Sequence, residues 1–451
     1  MAAVHTGHEE IETRTIRRLV RRLIPLMILL YFLNFLDRVN MSYAALDMNA
    51  ALGLSATQFG LAAGIFFIGY VIFEVPSNIM LHKLGARIWI ARIAVTWGLC
   101  SAAMVFVQGV ESLYVVRALL GIAEAGLYPG LLLYVAMWFP ARQRAWVLSM
   151  FLLGIPLSSV LGAPLSTSIM QYGDGLFGLD GWRLLFLVEG IPSVLVGIWA
   201  FFWLTSRPQE AKWLPEDERN WLIRTLEVEN EAPRHEKGAL GRALRNPRVL
   251  LLGLVLFGQA FGLWALTYFL PQMIKGLEGA FGTKFSYLQV GLVTAIPFAV
   301  ASVGFVLWAR HSDRTGERRM HTALPLVVGA VAVIACVLAS NPYILVAGIA
   351  LGLTGMLSST VAFWQLPGRV IAGTGMAAAG AIALINCIGA ASGYLGPHLF
   401  GWLKDWTGSF STGLFIVAGF MILSAVTVLF VVPAEPGVPE PTGLPRPAVA
   451  P

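Results

Sequence analysis

The sequence predicts an all-α membrane protein of twelve transmembrane helices in two groups of six. Of its 451 residues, 57% are hydrophobic and only 12% charged, with a mean hydropathy of +0.73. That is more apolar surface than a soluble core can bury. Twelve apolar stretches approach the roughly 20 residues that cross a bilayer as a helix, and one long hydrophilic segment divides them six and six.

In chain order the stretches cover residues 23–44, 57–80, 88–107, 112–137, 145–170 and 184–205, then 249–272, 287–309, 322–340, 343–366, 374–400 and 412–433. The expected organisation is a cytoplasmic N-terminal tail (1–22), an N-terminal six-helix bundle (23–205), a cytoplasmic central loop (206–248), a C-terminal six-helix bundle (249–433) and a disordered cytoplasmic tail (434–451). The arginine-rich start lacks a small-residue cleavage site before the first apolar stretch, so that stretch reads as an uncleaved helix. The Pro-rich end cannot bury a core.

Charge sets the expected orientation. Arg and Lys gather in the N-terminal segment, at Lys83 and Arg87, at Arg142 and Arg144, through the central loop, from Arg310 to Arg319 and at Arg369, whereas the loop from Asn40 to Gln58 carries neither. Positive loops stay on the cytoplasmic side, so both termini are expected there, in a bacterial inner (plasma) membrane. The formal charge of +6 is spread over these loops rather than over one basic domain, which argues against a nucleic-acid partner. Cys100, Cys336 and Cys387 all lie in apolar stretches without paired spacing, so neither a disulfide framework nor a metal site is expected.

An internal repeat follows. "LHKLGAR" after the second stretch and "SDRTGER" after the eighth align at an offset of 231 positions, matching Lys83, Gly85 and Arg87 with Arg314, Gly316 and Arg318. Parallel six-helix halves with a midplane site between them describe the major facilitator architecture. "SDRTGERR" resembles the loop motif of that superfamily, and the first copy departs from it with His82 in place of an acid. Six further phrases, "YFLNFLDRVN", "FFIGYVIFEVPSN", "RALLGIAEAGLYPG", "WFPARQRA", "GWRLLFLVEGIP" and "GWLKDWTGSF", together resemble the anion:cation symporter branch, whose carriers take tartrate, phthalate, hydroxyphenylacetate and sugar acids.

The ionisable residues inside the stretches are Asp37, Arg38, Glu74, Arg92, Arg117, Glu124 and Glu189, all in the first half. A charge at the centre of a spanning helix costs about 2.5–3.5 kcal/mol on insertion scales, so such groups face a bundle interior or a cavity. Asn34, Asp37, Arg38 and Met41 follow helical spacing on the first helix, as do Arg117, Gly121, Glu124 and Tyr128 on the fourth. Asp37, Arg38, Arg117 and Glu124 are therefore expected to face one water-filled space. Arg38, about 100° round the helix from Asp37, is the one that could turn to a helix interface instead. Glu74 and Arg92 read as snorkelling or loop-paired groups, and Glu189 as a local partner of Arg183.

The resemblance implies proton coupling by Asp37 and Glu124, carboxylate binding by Arg38 and Arg117, and pocket roles for Tyr70, Trp364 and Asn386. Sugar-acid carriers of the branch place Gln and Asn where this chain has Ile155 and Ala390. That implies an aromatic or short hydroxy-carboxylate substrate. The expected protein is a proton-coupled organic-anion importer working as a monomer in the lipid bilayer, without cofactor. A sodium-coupled or uncoupled exchanger is the alternative within the class. No nucleophile, metal or phosphate motif suggests an enzyme, and the central loop is too short for the signalling domain of a membrane sensor.

Overall fold

The computed structural model describes residues 2–152, 154–230, 241, 245–339, 341–370 and 376–433. The expected disordered tail, 434–451, and 231–240 of the central loop lie outside these residues. Eleven described helices are long and apolar enough to cross a membrane. The remaining segment of the expected twelve is the pair Ala141–Leu152 and Gly154–Gly173.

The first half comprises α1 (Ala2–Ala51), α2 (Ala56–Leu84), α3 (Ala86–Ala102), α4 (Val110–Glu124), α5 (Leu127–Trp138), α6 (Ala141–Leu152), α7 (Gly154–Gly173) and α8 (Gly181–Trp203). The helix α9 (Glu216–Asn230) lies in the central loop. The second half comprises α10 (Pro247–Lys275), α11 (Tyr287–Thr315), α12 (Arg319–Ala339), α13 (Pro342–Phe363), α14 (Met376–Thr407) and α15 (Ser411–Val431). Each half packs chiefly on itself, and the halves meet through α2 with α14, α7 with α11, and α1 with α10.

In the N-terminal segment α1 runs unbroken through residues 2–22. Its basic face is held by the central loop. Arg14 pairs with Asp217 at 2.7 Å, and both Arg14 and Arg18 pair with the buried Glu218 at 3.1 and 3.0 Å. The guanidinium of Arg22 lies 4.2 and 4.7 Å from the rings of Trp203 and Trp213. These contacts seat α9 against the first bundle.

The repeated loop is built differently in its two copies. Arg318 pairs with Asp313 at 2.9 Å. In the first copy His82 stands at the acid's place, and Arg87 donates instead to the Phe201 carbonyl at 2.5 Å while lying over the Phe201 ring. A carbonyl and a ring face replace the carboxylate.

The fourth apolar stretch is also not the continuous helix its hydropathy suggests. α4 ends at Glu124, Gly126 takes φ +88°, and α5 starts at Leu127. Glycine enters that backbone region without a Cβ clash, and Pro129 cannot donate the hydrogen bond that would tie α5 back to Ala125. Glu124 thus becomes the last residue of a helix, one step from a break.

Hydrogen bonds between the halves gather at the end opposite the basic loops. Asn49 bonds Gln272 at 3.2 Å, Tyr287 bonds Asp47, Leu288 bonds Gln171 at 3.0 Å, and Asp405 of α14 accepts from the backbone of Ala56 and Thr57 at 3.1 and 2.7 Å. There α2 and α14 touch so closely that a Cβ on Gly60 would collide with the Pro397 carbonyl, and one on Gly401 with that of Ala56. Toward the basic end no such contacts are found among the described residues, and Phe73, Asn386 and Trp364 are exposed. The result is a cleft sealed at one end.

Candidate substrate site

Arg38 and Glu124 form an ion pair where α1 meets the broken end of α4, with Glu124 fully buried and the Arg38 side chain 11% exposed. A carboxylate gains nothing from the carbonyl-rich end of a helix, and Arg38 supplies the counter-charge. The Arg38 guanidinium carbon stands 5.3, 5.1, 5.3 and 5.8 Å from the ring centroids of Phe35, Phe66, Tyr70 and Trp264. Rings from α1, α2 and α10 enclose it, within cation–π range.

Arg117 enters the same region from α4. It is fully buried, donates from Nε to the Ala62 carbonyl and from Nη2 to the Tyr268 hydroxyl, both at 3.3 Å, and lies 5.1 Å from the Phe66 ring. Because both guanidinium carbons are 5.1 Å from that one ring centroid, at most about 10 Å separates them. Among the described residues no carboxylate lies within ion-pair distance of Arg117, and its Nη1 has no partner. Arg38 Nε and Glu124 Oε2 are likewise buried without partners. A buried cation with a free donor is costly, and an arginine fork matches a planar carboxylate.

Tyr268 links the halves at this point. Its hydroxyl receives the Arg117 donor and itself donates to the Arg38 backbone carbonyl at 3.3 Å. Trp264, one turn earlier on α10, packs 4.7 Å from the ring of Phe67 on α2. Neither residue was singled out by sequence reasoning. The signal available was their four-residue spacing on a cavity helix, shared by many packing pairs.

Asp37 does not face this cleft. It is buried in the N-terminal bundle, accepting from Ser101 and Ser193 at 2.6 Å each and from Trp97 at 3.0 Å. The expected arrangement of neighbours is reversed: Arg38 lines the cleft and Asp37 serves the helix interface. Three donors converging on Asp37 from α3 and α8 set the rotation of α1. Glu189 is likewise turned inward to Ser166 at 2.6 Å, while Arg183 bonds Asp180 and the Val105 carbonyl. The expected Glu189–Arg183 pair is absent.

Tyr70 lies beside Arg38 and stacks on Phe66 at 6.0 Å. Asn386 is exposed on α14, toward the basic end. Trp364, 41% exposed at the end of α13, contacts the Phe363 ring and is not among the rings around Arg38. Glu74, one turn beyond Tyr70, lies within electrostatic reach of Arg38 and of Cys387 on α14. Arg92 packs over Trp89 at 4.0 Å.

Comparison with known proteins agrees with the fold. The model of the Major Facilitator Superfamily matches residues 27–394. The chain is 46% identical over 422 residues to a protein of Agrobacterium vitis named "Putative tartrate transporter", covering 94% of this chain and 95% of that one. It is 37% identical to a quinolone resistance transporter of Acinetobacter baumannii, covering 92% and 94%. Among solved structures, the xylose transporter of E. coli in its inward-open conformation aligns with a TM-score of 0.74 at 17% identity, over 93% of this chain and 97% of the other.

Proposed function

The chain belongs to the Major Facilitator Superfamily and is a multi-pass membrane transporter, and from that premise we propose that it imports an organic carboxylate with protons by alternating access. The observation that carries this reading is Arg117: fully buried, without a carboxylate partner and with a free Nη1. A substrate carboxylate supplies the missing anion. Arg38, across the Phe66 ring, is held by Glu124 until that acid takes a proton. Protonation then frees a second guanidinium, so proton binding and anion binding favour each other.

Two arginines at this separation suit a short dicarboxylate, one group for each. The tartrate name of the 46% identical relative supports a hydroxy-dicarboxylate, and the aromatic walls at Tyr70, Phe66 and Trp264 suit a compact ligand backbone. Asn386 and Trp364 contribute where the cleft widens toward the basic end. Asp37 joins the coupling through α1, whose next residue is Arg38. The basic loops put that end in the cytoplasm of a plasma membrane, so the cleft described here faces inward, and one chain suffices to form it.

Uptake by purified protein in sealed liposomes tests the reading, with tartrate, phthalate, hydroxyphenylacetate and aldonates offered under an inward proton gradient. Accumulation of tartrate that vanishes with a proton ionophore is expected. Uptake indifferent to the gradient, or driven by sodium, would overturn the coupling.

A further inference from the structure

Two acids lie inside the N-terminal bundle without a basic partner. Asp37 and Glu189 are 1% and 3% exposed. Between them stands Asn40, fully buried, whose amide donates to Asp37 at 3.4 Å and whose side chain also reaches Glu189. Asp37 is surrounded by donors, from Ser101, Ser193, Trp97 and Asn40. Glu189 accepts from Ser166 on Oε1 and is approached by the Asn40 amide. Glu189 Oε2 and Asn40 Oδ1 are buried and have no partner.

Both unpaired atoms are acceptors when Glu189 is a carboxylate. Unpaired buried acceptors cost about 1–3 kcal/mol each, more when charged. Among the described residues no cation pairs with Glu189: the groups about it are Ser166 of α7 and Asp37, Asn40 and Tyr43 of α1, while Arg183 of its own helix is engaged elsewhere. A proton on Glu189 Oε2 removes the buried charge and turns that unpaired acceptor into a donor.

We infer that Glu189 is a second proton-binding residue, bridged by Asn40 to Asp37, so that the N-terminal bundle holds a proton site separate from the Arg38–Glu124 pair. A metal ion suits the site less well, because donors already occupy the Asp37 oxygens. The inference rests on the proton-coupled reading above. The step is protonation alone: an O–H bond forms at Glu189 when the site meets solvent and breaks on release.

The test uses the full chain in liposomes with tartrate as probe, comparing wild type, Glu189→Gln and Ser166→Ala. Glu189→Gln should lose proton-driven accumulation, its inside-to-outside ratio falling to one, while tartrate exchange continues with a flattened pH profile. Ser166→Ala, the milder change should the first variant fail to insert, should move the pH midpoint of exchange. Wild-type accumulation and an unchanged pH profile in both variants would overturn the role of Glu189 and leave the proposed symport standing. Sodium-driven accumulation by wild type that Glu189→Gln abolishes would replace the proton by a metal ion. No accumulation by wild type under either gradient would remove the symport reading itself.

Discussion

Asp37 and Arg38 are consecutive in the chain yet belong to separate compartments. Asp37 accepts from Trp97, Ser101 and Ser193 within one bundle, whereas Arg38 pairs with Glu124 among rings from both halves. One rotation of α1 therefore serves an internal acid and a cleft base at once. Movement at either is felt by the other through a single peptide unit.

Replacing Glu124 by Gln keeps a hydrogen-bonding group beside Arg38 but removes the charge that holds it. Substrate exchange should persist and gradient-driven accumulation should fall to equilibrium. Counterflow and accumulation measured side by side decide this, and accumulation like wild type would remove Glu124 from the coupling.

Arg117→Lys retains the charge and loses the planar fork that reaches both Ala62 and Tyr268. Such exchanges are not conservative where bidentate contacts are made. Tartrate affinity should drop by roughly 10- to 100-fold, equivalent to about 1.4–2.8 kcal/mol, read by calorimetric titration. Unchanged affinity would exclude Arg117 as the carboxylate ligand.

Tyr268→Phe deletes the hydroxyl that bonds Arg117 and the Arg38 carbonyl across the halves. Each bond contributes about 0.5–1.5 kcal/mol net, so the outward-open population should rise several-fold. Spin-label distances across the sealed end, between α2 and α14, would report the shift.

Gly401→Ala places a methyl group against the Ala56 carbonyl, where α14 seals on α2. The variant should fold and bind tartrate from the outside while transport fails, because the sealed state cannot form. Substrate binding together with uptake separates this outcome from simple misfolding.

Cys387 is exposed on α14 near Glu74, Cys336 is buried and Cys100 is half-buried. A membrane-impermeant maleimide should label Cys387 from the basic side and slowly, if at all, from the other. Tartrate should slow that labelling. Equal labelling from both sides would contradict a cleft sealed at one end.

The length of each apolar run, the placement of Arg and Lys and the repeat at offset 231 determine spans, division and fold class, because each depends on composition along the chain rather than on neighbours in space. Helical spacing also singled out Arg117 and Glu124, which the fold brings into one region beside Arg38. Even the Glu189–Arg183 pairing could have been doubted, since residues six apart on a helix stand about 120° from one another. Which of Asp37 and Arg38 looks into the cleft was beyond the sequence. A helix wheel gives relative angles, and its absolute rotation is set by what packs around it, here Trp97, Ser101 and Ser193 on two other helices. The break after Glu124 hid inside an unbroken apolar run, because hydropathy does not register a backbone angle. Arg117 without a carboxylate partner and the buried acids Asp37 and Glu189 arise only where distant helices meet, so tertiary structure alone decided them.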